Sequence, residues 1–167
     1  MVYLMLLRHA KSDWSEEGTA DIDRPLNPRG RRAAPEMARW MLEHHFLPDR
    51  VLCSSARRTR ETLTRMQEEW AKAPANHEPQ IHFIDRLYLA PPQTILETAI
   101  EHAQGASAIL VLGHNPGMEM LATQLSQQHI EMPTCAIVVF EAKPTWPEDW
   151  WDSSSWSLVA HQRPKHA

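Results

Sequence analysis

The sequence predicts a three-layer α/β/α sandwich around a mostly parallel sheet of about six strands, with residues 1–167 forming a single domain. Three observations predict it. Residues 2–7 and 107–112 are almost uninterrupted apolar runs, as strands buried on both faces of a parallel sheet must be. Strand-like runs alternate with amphipathic helical stretches, the pattern of crossover α/β folds. The length of 167 residues falls within the roughly 100–200 typical of one domain, and such a chain buries about 70% of its unfolded surface without disulfides or a structural metal.

The first strand, residues 2–7, ends at Arg8-His9-Ala10, and the polar, acidic residues 13–24 read as a loop. Asn27 and Pro28 start a helix as N-cap and first helical residue, and Ala33, Ala34, Met37, Met41 and Leu42 recur at helical spacing until Pro48-Asp49. Residues 50–53 form a second strand, and Ser54 is read as the cap of a helix whose apolar face carries Leu63, Met66 and Trp70. A loop at 72–79 leads to a third strand at 81–84. Pro91-Pro92 opens a helix carrying Ile95, Leu96, Ala99 and Ile100, with Gly105 at its C′ position. After the strand at 107–112, Asn115 and Pro116 again read as N-cap and first helical residue, before Met118, Leu121, Ala122 and Leu125. Strands at 135–141 and 155–161 flank a Pro/Trp-rich loop at 143–152. The tryptophans Trp146, Trp150, Trp151 and Trp156 there serve either packing or partner docking.

Composition excludes several classes. Hydrophobic residues at 43% and charged residues at 23% are too apolar for disorder. No window approaches 18 consecutive apolar residues, so no membrane helix is expected, and the short apolar start lacks the marks of a secretory signal. The expected compartment is the cytoplasm. A net charge of −4 argues against general nucleic-acid binding. Two cysteines, Cys53 and Cys135, rule out a disulfide scaffold and a four-cysteine zinc site. With 5 glycines there is no G-x-G-x-x-G or Walker A loop, so phosphate chemistry would need side chains.

Ligands of open α/β sheets bind beyond the carboxyl ends of the strands. Arg8 and His9 follow the first strand, Ser54, Arg57 and Arg58 the second, and His114 and Asn115 the fourth. Arginine grips phosphate oxygens in bidentate fashion, strand-to-helix turns favour anions, and a neutral histidine can attack phosphorus. The pattern therefore points to a phosphate site with two histidines and at least two arginines.

Leu6-Leu7-Arg8-His9-Ala10 resembles the R-H-G/A signature of the histidine phosphatase superfamily, whose fold is phosphoglycerate-mutase-like. Ser54 to Thr62 resembles its S-x-x-x-R-x-x-x-T block, which places the pocket arginine at Arg58. Val111-Leu112-Gly113-His114-Asn115 resembles its second histidine block. Arg24-Pro25-Leu26-Asn27-Pro28-Arg29-Gly30 is similar to the R-P-L-x-x-x-G block of its small branch, the SixA-like phosphohistidine phosphatases. The resemblance implies a two-step phosphoryl transfer. His9 is then the covalent nucleophile, Arg8, Arg58 and His114 hold the equatorial oxygens, and Arg24 and Asn115 border the phosphate. It implies no metal and no cofactor, since the cations are side chains.

Larger members use a carboxylic acid to protonate an alcohol leaving group. The corresponding segment here, Asp85-Arg86-Leu87-Tyr88-Leu89-Ala90, offers no clear match, and Asp13 and Asp85 are the reserve candidates. A missing acid favours phosphohistidine in a partner protein of the histidine-phosphotransfer type over a small phosphate ester such as a sugar phosphate.

Other readings are weaker. The spacing from Cys53 to Arg58 or Arg60 does not fit the C-x5-R loop of cysteine phosphatases, so Cys53 reads as a buried structural residue. The histidines at 44, 45, 77, 82, 102, 129, 161 and 166 have no convincing metal spacing. A non-catalytic phosphate-recognition module would be expected to lack His9, which is present.

Overall fold

The computed structural model describes residues 1–73 and 77–165. The loop expected at 72–79 lies partly outside them, and His166 wholly so. The described residues form ten main elements: β1 (Val2–Arg8), α1 (Pro28–Glu43), β2 (Arg50–Ser54), α2 (Arg57–Ala71), β3 (Gln80–Ile84), α3 (Pro92–Glu101), β4 (Ala108–Gly113), α4 (Gly117–Ser126), β5 (Ile137–Ala142) and β6 (Ser157–Gln162). The six strands form one sheet in the order β3-β2-β4-β1-β5-β6. The pairs β2–β3, β2–β4 and β1–β4 are parallel, and β5 and β6 are antiparallel additions. The mostly parallel α/β sheet expected from the sequence is the one found.

Strand alternation divides the interior in two. Leu4, Leu6, Ile109 and Val111 join the core beneath α3 and α4, while Met5, Leu7, Leu110 and Leu112 join the core beneath α1 and α2. Fully burying one such side chain contributes about 1.5–3 kcal/mol. Helix α1 begins as its sequence dictates, with the Asn27 side chain accepting from the Gly30 N–H at 2.9 Å and Pro28 in the first turn. Its N-terminus lies so close to the chain after β1 that a Cβ on Gly30 would stand 2.2 Å from the Lys11 carbonyl oxygen.

Several boundaries differ from expectation. Helix α1 stops at Glu43, ahead of Pro48, and His45 takes φ 60°. Helix α2 has Ala56, not Ser54, at its N-cap, because Ser54 is still in β2. At α4 the N-cap position is Pro116, while Asn115 sits one residue earlier and still accepts from the Glu119 N–H at 3.3 Å. Gly105 takes the left-handed φ of 81°, but α3 ends at Glu101, so the glycine serves a later turn. Strand β5 begins after Cys135, which has φ 64°, and β6 begins after a 3-10 turn, Ser153–Ser155. The tryptophan segment is core: Trp150 and Trp156 are buried, Trp146 stacks on Trp150 at 4.9 Å, and Trp151 packs alongside. Trp150 and Trp156 follow the packing alternative, while Trp146 and Trp151 stay partly exposed. No described helix is long and apolar enough to cross a membrane.

Gly117 starts α4 against the segment that follows β3, where a Cβ would lie 2.0 Å from the Ala90 carbonyl oxygen. Gly117→Ala is expected to lower stability by about 1–3 kcal/mol through overpacking against backbone, read from urea melts. An unchanged midpoint would contradict this packing.

Candidate functional site

The carboxyl ends of β1, β2 and β4 meet at a cavity of about 320 Å³ lined by Arg8, His9, Asp21, Arg24, Arg58 and His114, among others. The parallel register sets Arg8 opposite Gly113, so His9 and His114 each stand one residue beyond the last pair. The His9 N–H donates to the Gly113 carbonyl at 3.1 Å, and the two imidazole centroids are 5.3 Å apart.

His9 is almost buried, and its Nδ1 lies 2.7 Å from the Ala10 carbonyl oxygen. A carbonyl only accepts, so Nδ1 carries the proton and Nε2 keeps its lone pair. Burial, with the nearby His114, Arg58 and Arg8, lowers the His9 pKa to about 3. The ring is therefore neutral at physiological pH. The turn behind it is tied down by Thr62, whose hydroxyl accepts from the Ala10 N–H at 3.0 Å and donates to the Arg58 carbonyl at 2.7 Å.

His114 is buried, with Nε2 2.8 Å from the Ser54 hydroxyl and Nδ1 without a partner among the described residues. The Tyr88 ring packs edge-on against it at 5.4 Å. Burial first, then Arg58, lowers its pKa to about 3, so this imidazole is neutral as well.

Arg8 donates from Nη1 to the Met132 carbonyl at 3.1 Å, and burial lowers its pKa. Arg58 is 2% exposed and donates from Nη1 to the Asp21 carbonyl at 2.7 Å and from Nη2 to the Asp21 carboxylate at 3.0 Å. The Nε atoms of Arg8 and Arg58 are buried with no partner among the described residues. Arg24 donates to the Ser12 hydroxyl at 2.6 Å and to Asp21 Oδ1 at 3.1 Å, and its guanidinium lies 3.3 Å over the Trp14 ring. The Asn115 side chain lines the cavity but is engaged with Glu119 and the Met132 carbonyl.

All six expected site residues thus line one cavity, and Asn115 is committed to protein partners. Neither reserve acid lines it. Asp13 caps the Ser15 N–H at 2.7 Å on the surface, and exposed Asp85 starts a 3-10 turn. The carboxylate that does line it, Asp21, went unnoticed in the sequence. Its one local signal is its spacing of three residues from Arg24. The Tyr88 hydroxyl, which donates to Oδ2, and then Arg58 hold its pKa down to about 2. Cys53 is buried, and burial pushes its thiol up to about 12. Among the described residues no group of three or more His, Cys, Asp or Glu could hold a metal ion.

Both site histidines are neutral in the fold but protonate near 6.5 once unfolded. The unfolded chain therefore binds more protons between about pH 6.5 and 3, and stability must fall as pH drops through that window. The expected slope is at most about 1.4 kcal/mol per pH unit for each histidine. Asp21 works in a lower window, where the stability it gives above about pH 4 is lost on approach to pH 2. Urea melts across pH 3–7 should show a flatter profile for a His9→Gln, His114→Gln double variant. An undiminished slope would contradict neutral burial.

Residues 4–85 match the histidine phosphatase superfamily (branch 1). An uncharacterized protein of Mycobacterium tuberculosis is 38% identical over 120 residues, which cover 72% of this chain and 70% of that protein. An uncharacterized chloroplastic protein of Arabidopsis thaliana is 36% identical, and the match spans 83% of this chain but 66% of that protein. The structure of a candidate phosphohistidine phosphatase SixA from Agrobacterium tumefaciens matches with a TM-score of 0.79 and 26% identity, over 98% of this chain and 99% of that one. The protein histidine phosphatase SixA complexed with tungstate shares the fold, with a TM-score of 0.76 and 19% identity over 98% and 97% of the two chains.

Proposed function

Because this chain belongs to the histidine phosphatase superfamily, with a fold like that of the SixA structures, we propose that its residues 1–167 act as one phosphatase domain using His9 as covalent nucleophile. The observation that carries this reading is the set of buried donors without partners. Arg8 Nε, Arg58 Nε and His114 Nδ1 belong to side chains lining one cavity, opposite a neutral His9. Leaving a buried donor unsatisfied costs about 1–3 kcal/mol, and a bound oxyanion removes that cost.

In the first step the Nε2 lone pair of His9 forms a bond to phosphorus as the bond to the leaving group breaks. Arg8, Arg58 and His114 stabilise the charge on the equatorial oxygens, and Arg24 borders them. Water then forms the new P–O bond and gives up a proton to solvent, while the N–P bond breaks with its electron pair returning to Nε2, so that His9 regains its neutral form. The Ala10 carbonyl holds Nδ1–H throughout and leaves the Nε2 lone pair unprotonated.

The substrate follows from what the cavity lacks. Asp21 is ionised, and neither Asp13 nor Asp85 reaches the site, so no carboxylic acid stands ready to protonate an alkoxide. An imidazole that has taken a proton from solvent leaves phosphorus without such help. We take phosphohistidine on a partner protein as the substrate, recognised without metal or cofactor.

Trapping with labelled substrate should give an acid-labile phosphoenzyme that His9→Ala cannot form, with turnover reduced at least about 10³-fold. Arg58→Ala should slow turnover by roughly 10²–10³-fold. Accumulation of phosphoenzyme on His9→Ala would remove the nucleophile assignment. A panel at equal concentration, comprising a phosphohistidine protein, phosphoserine and phosphotyrosine peptides, a sugar phosphate and an aryl phosphate, tests the substrate. Phosphohistidine should have the highest kcat/KM. A sugar phosphate preferred by about ten-fold, or about 1.4 kcal/mol, would favour the small-ester reading instead.

A further inference from the structure

We infer that Ser54 is a positioning residue that sets the tautomer of His114, its hydroxyl donating to Nε2 so that the ring proton resides on Nδ1. Ser54 is the last residue of β2 and is fully buried, so water does not compete for its hydroxyl. Its Oγ already accepts from the Ala56 N–H at 3.4 Å. Among the described residues, His114 Nε2 at 2.8 Å is the acceptor left for the hydroxyl proton. An imidazole that accepts at Nε2 and is neutral must carry its proton at Nδ1, the buried atom without a partner.

The opposite tautomer would leave two faults. The Ser54 proton would have no acceptor, and under the phosphatase reading Nδ1 would offer a phosphoryl oxygen a lone pair in place of a proton. Two neutral imidazoles 5.3 Å apart therefore present opposite polarity: His9 a lone pair, His114 an N–H. A backbone carbonyl imposes the first and a serine hydroxyl the second. That this N–H serves a phosphoryl oxygen rests on the phosphatase reading, whereas the tautomer itself does not.

The test is long-range proton–nitrogen correlation on the ligand-free full chain labelled with ¹⁵N-histidine, with the His114 signals assigned by their loss in His114→Gln. Wild type is expected to show protonated Nδ1 and unprotonated Nε2, and Ser54→Ala to lose that single tautomer. In parallel, Ser54→Ala should lower kcat on an aryl phosphate roughly three- to ten-fold, the scale of one hydrogen bond, with less change in KM. A proton on Nε2 in the wild type overturns the inference without need of any variant, and so does a Ser54→Ala protein that keeps Nδ1–H unchanged. A tautomer that responds to Ser54 in a protein hydrolysing none of the phosphates tested supports the inference and sinks the phosphatase reading alone.

Discussion

The site depends on the parallel register between β1 and β4. Because side chains alternate across the sheet, Leu4 and Leu6 enter one core and Met5 and Leu7 the other. A slip by one residue would send each set to the wrong side, so two buried faces fix the register firmly. That register ends the two strands together at Arg8 and Gly113, and the His9 N–H closes onto the Gly113 carbonyl. β2 joins the same edge by pairing Cys53 with Leu112, which brings Ser54 beside the turn that carries His114. Packing energy spent in the interior therefore fixes the separation of polar groups at the rim.

Three arginines crowd the cavity edge, and like charges at close range raise the free energy of the empty site. One carboxylate, Asp21, offsets this by accepting from Arg58 and Arg24, while the Tyr88 hydroxyl also donates to it. The guanidinium geometry makes the arrangement workable. Five N–H groups in a fixed plane let Arg58 spend both terminal nitrogens on Asp21 and keep Nε apart. A lysine could pair with the aspartate, but its single ammonium lacks the fixed planar set of donors that separates that contact from Nε. The same contacts hold Asp21 ionised, which removes it as a proton source.

The sheet, its four crossing helices and the two histidine turns were legible in the sequence because each rests on periodicity or on a short run following a strand. The contacts that complete the site were not. Ser54, placed before a helix, carries the signature of a cap, yet its hydroxyl faces sideways in the sheet toward a residue 60 positions away. Asp21 and Tyr88 are 67 positions apart and lie on irregular segments, where no period says which way a side chain points. Gly30 and Thr62 appeared only as motif letters. Their reasons are steric and local: α1 touches the Lys11 backbone at Gly30, and Thr62 holds the Ala10 N–H. The strand ends misread by one or two residues, at Cys135 and Ser155, are places where backbone turns override a continuing apolar or polar pattern.

The segment between Ser12 and Leu26 ties the order of the cavity wall to the site itself. These two residues bridge at its base, but its 3-10 turn, Asp21–Asp23, buries none of its residues, and Trp14 is 75% exposed. Apolar burial therefore does little to hold this wall. Its order comes from Arg24 bound to Ser12 and Asp21, and from Arg58 bound to Asp21. Segments with few buried contacts belong to the low-stability end of a protein's local unfolding spectrum. In the proposed phosphatase, Arg58 would thus serve the wall and the anion with different edges of one guanidinium. Under that proposal an anion drawing on the Arg58 Nε edge would act on the group that orders the wall, and ligand affinity and wall order would be coupled through a single buried side chain.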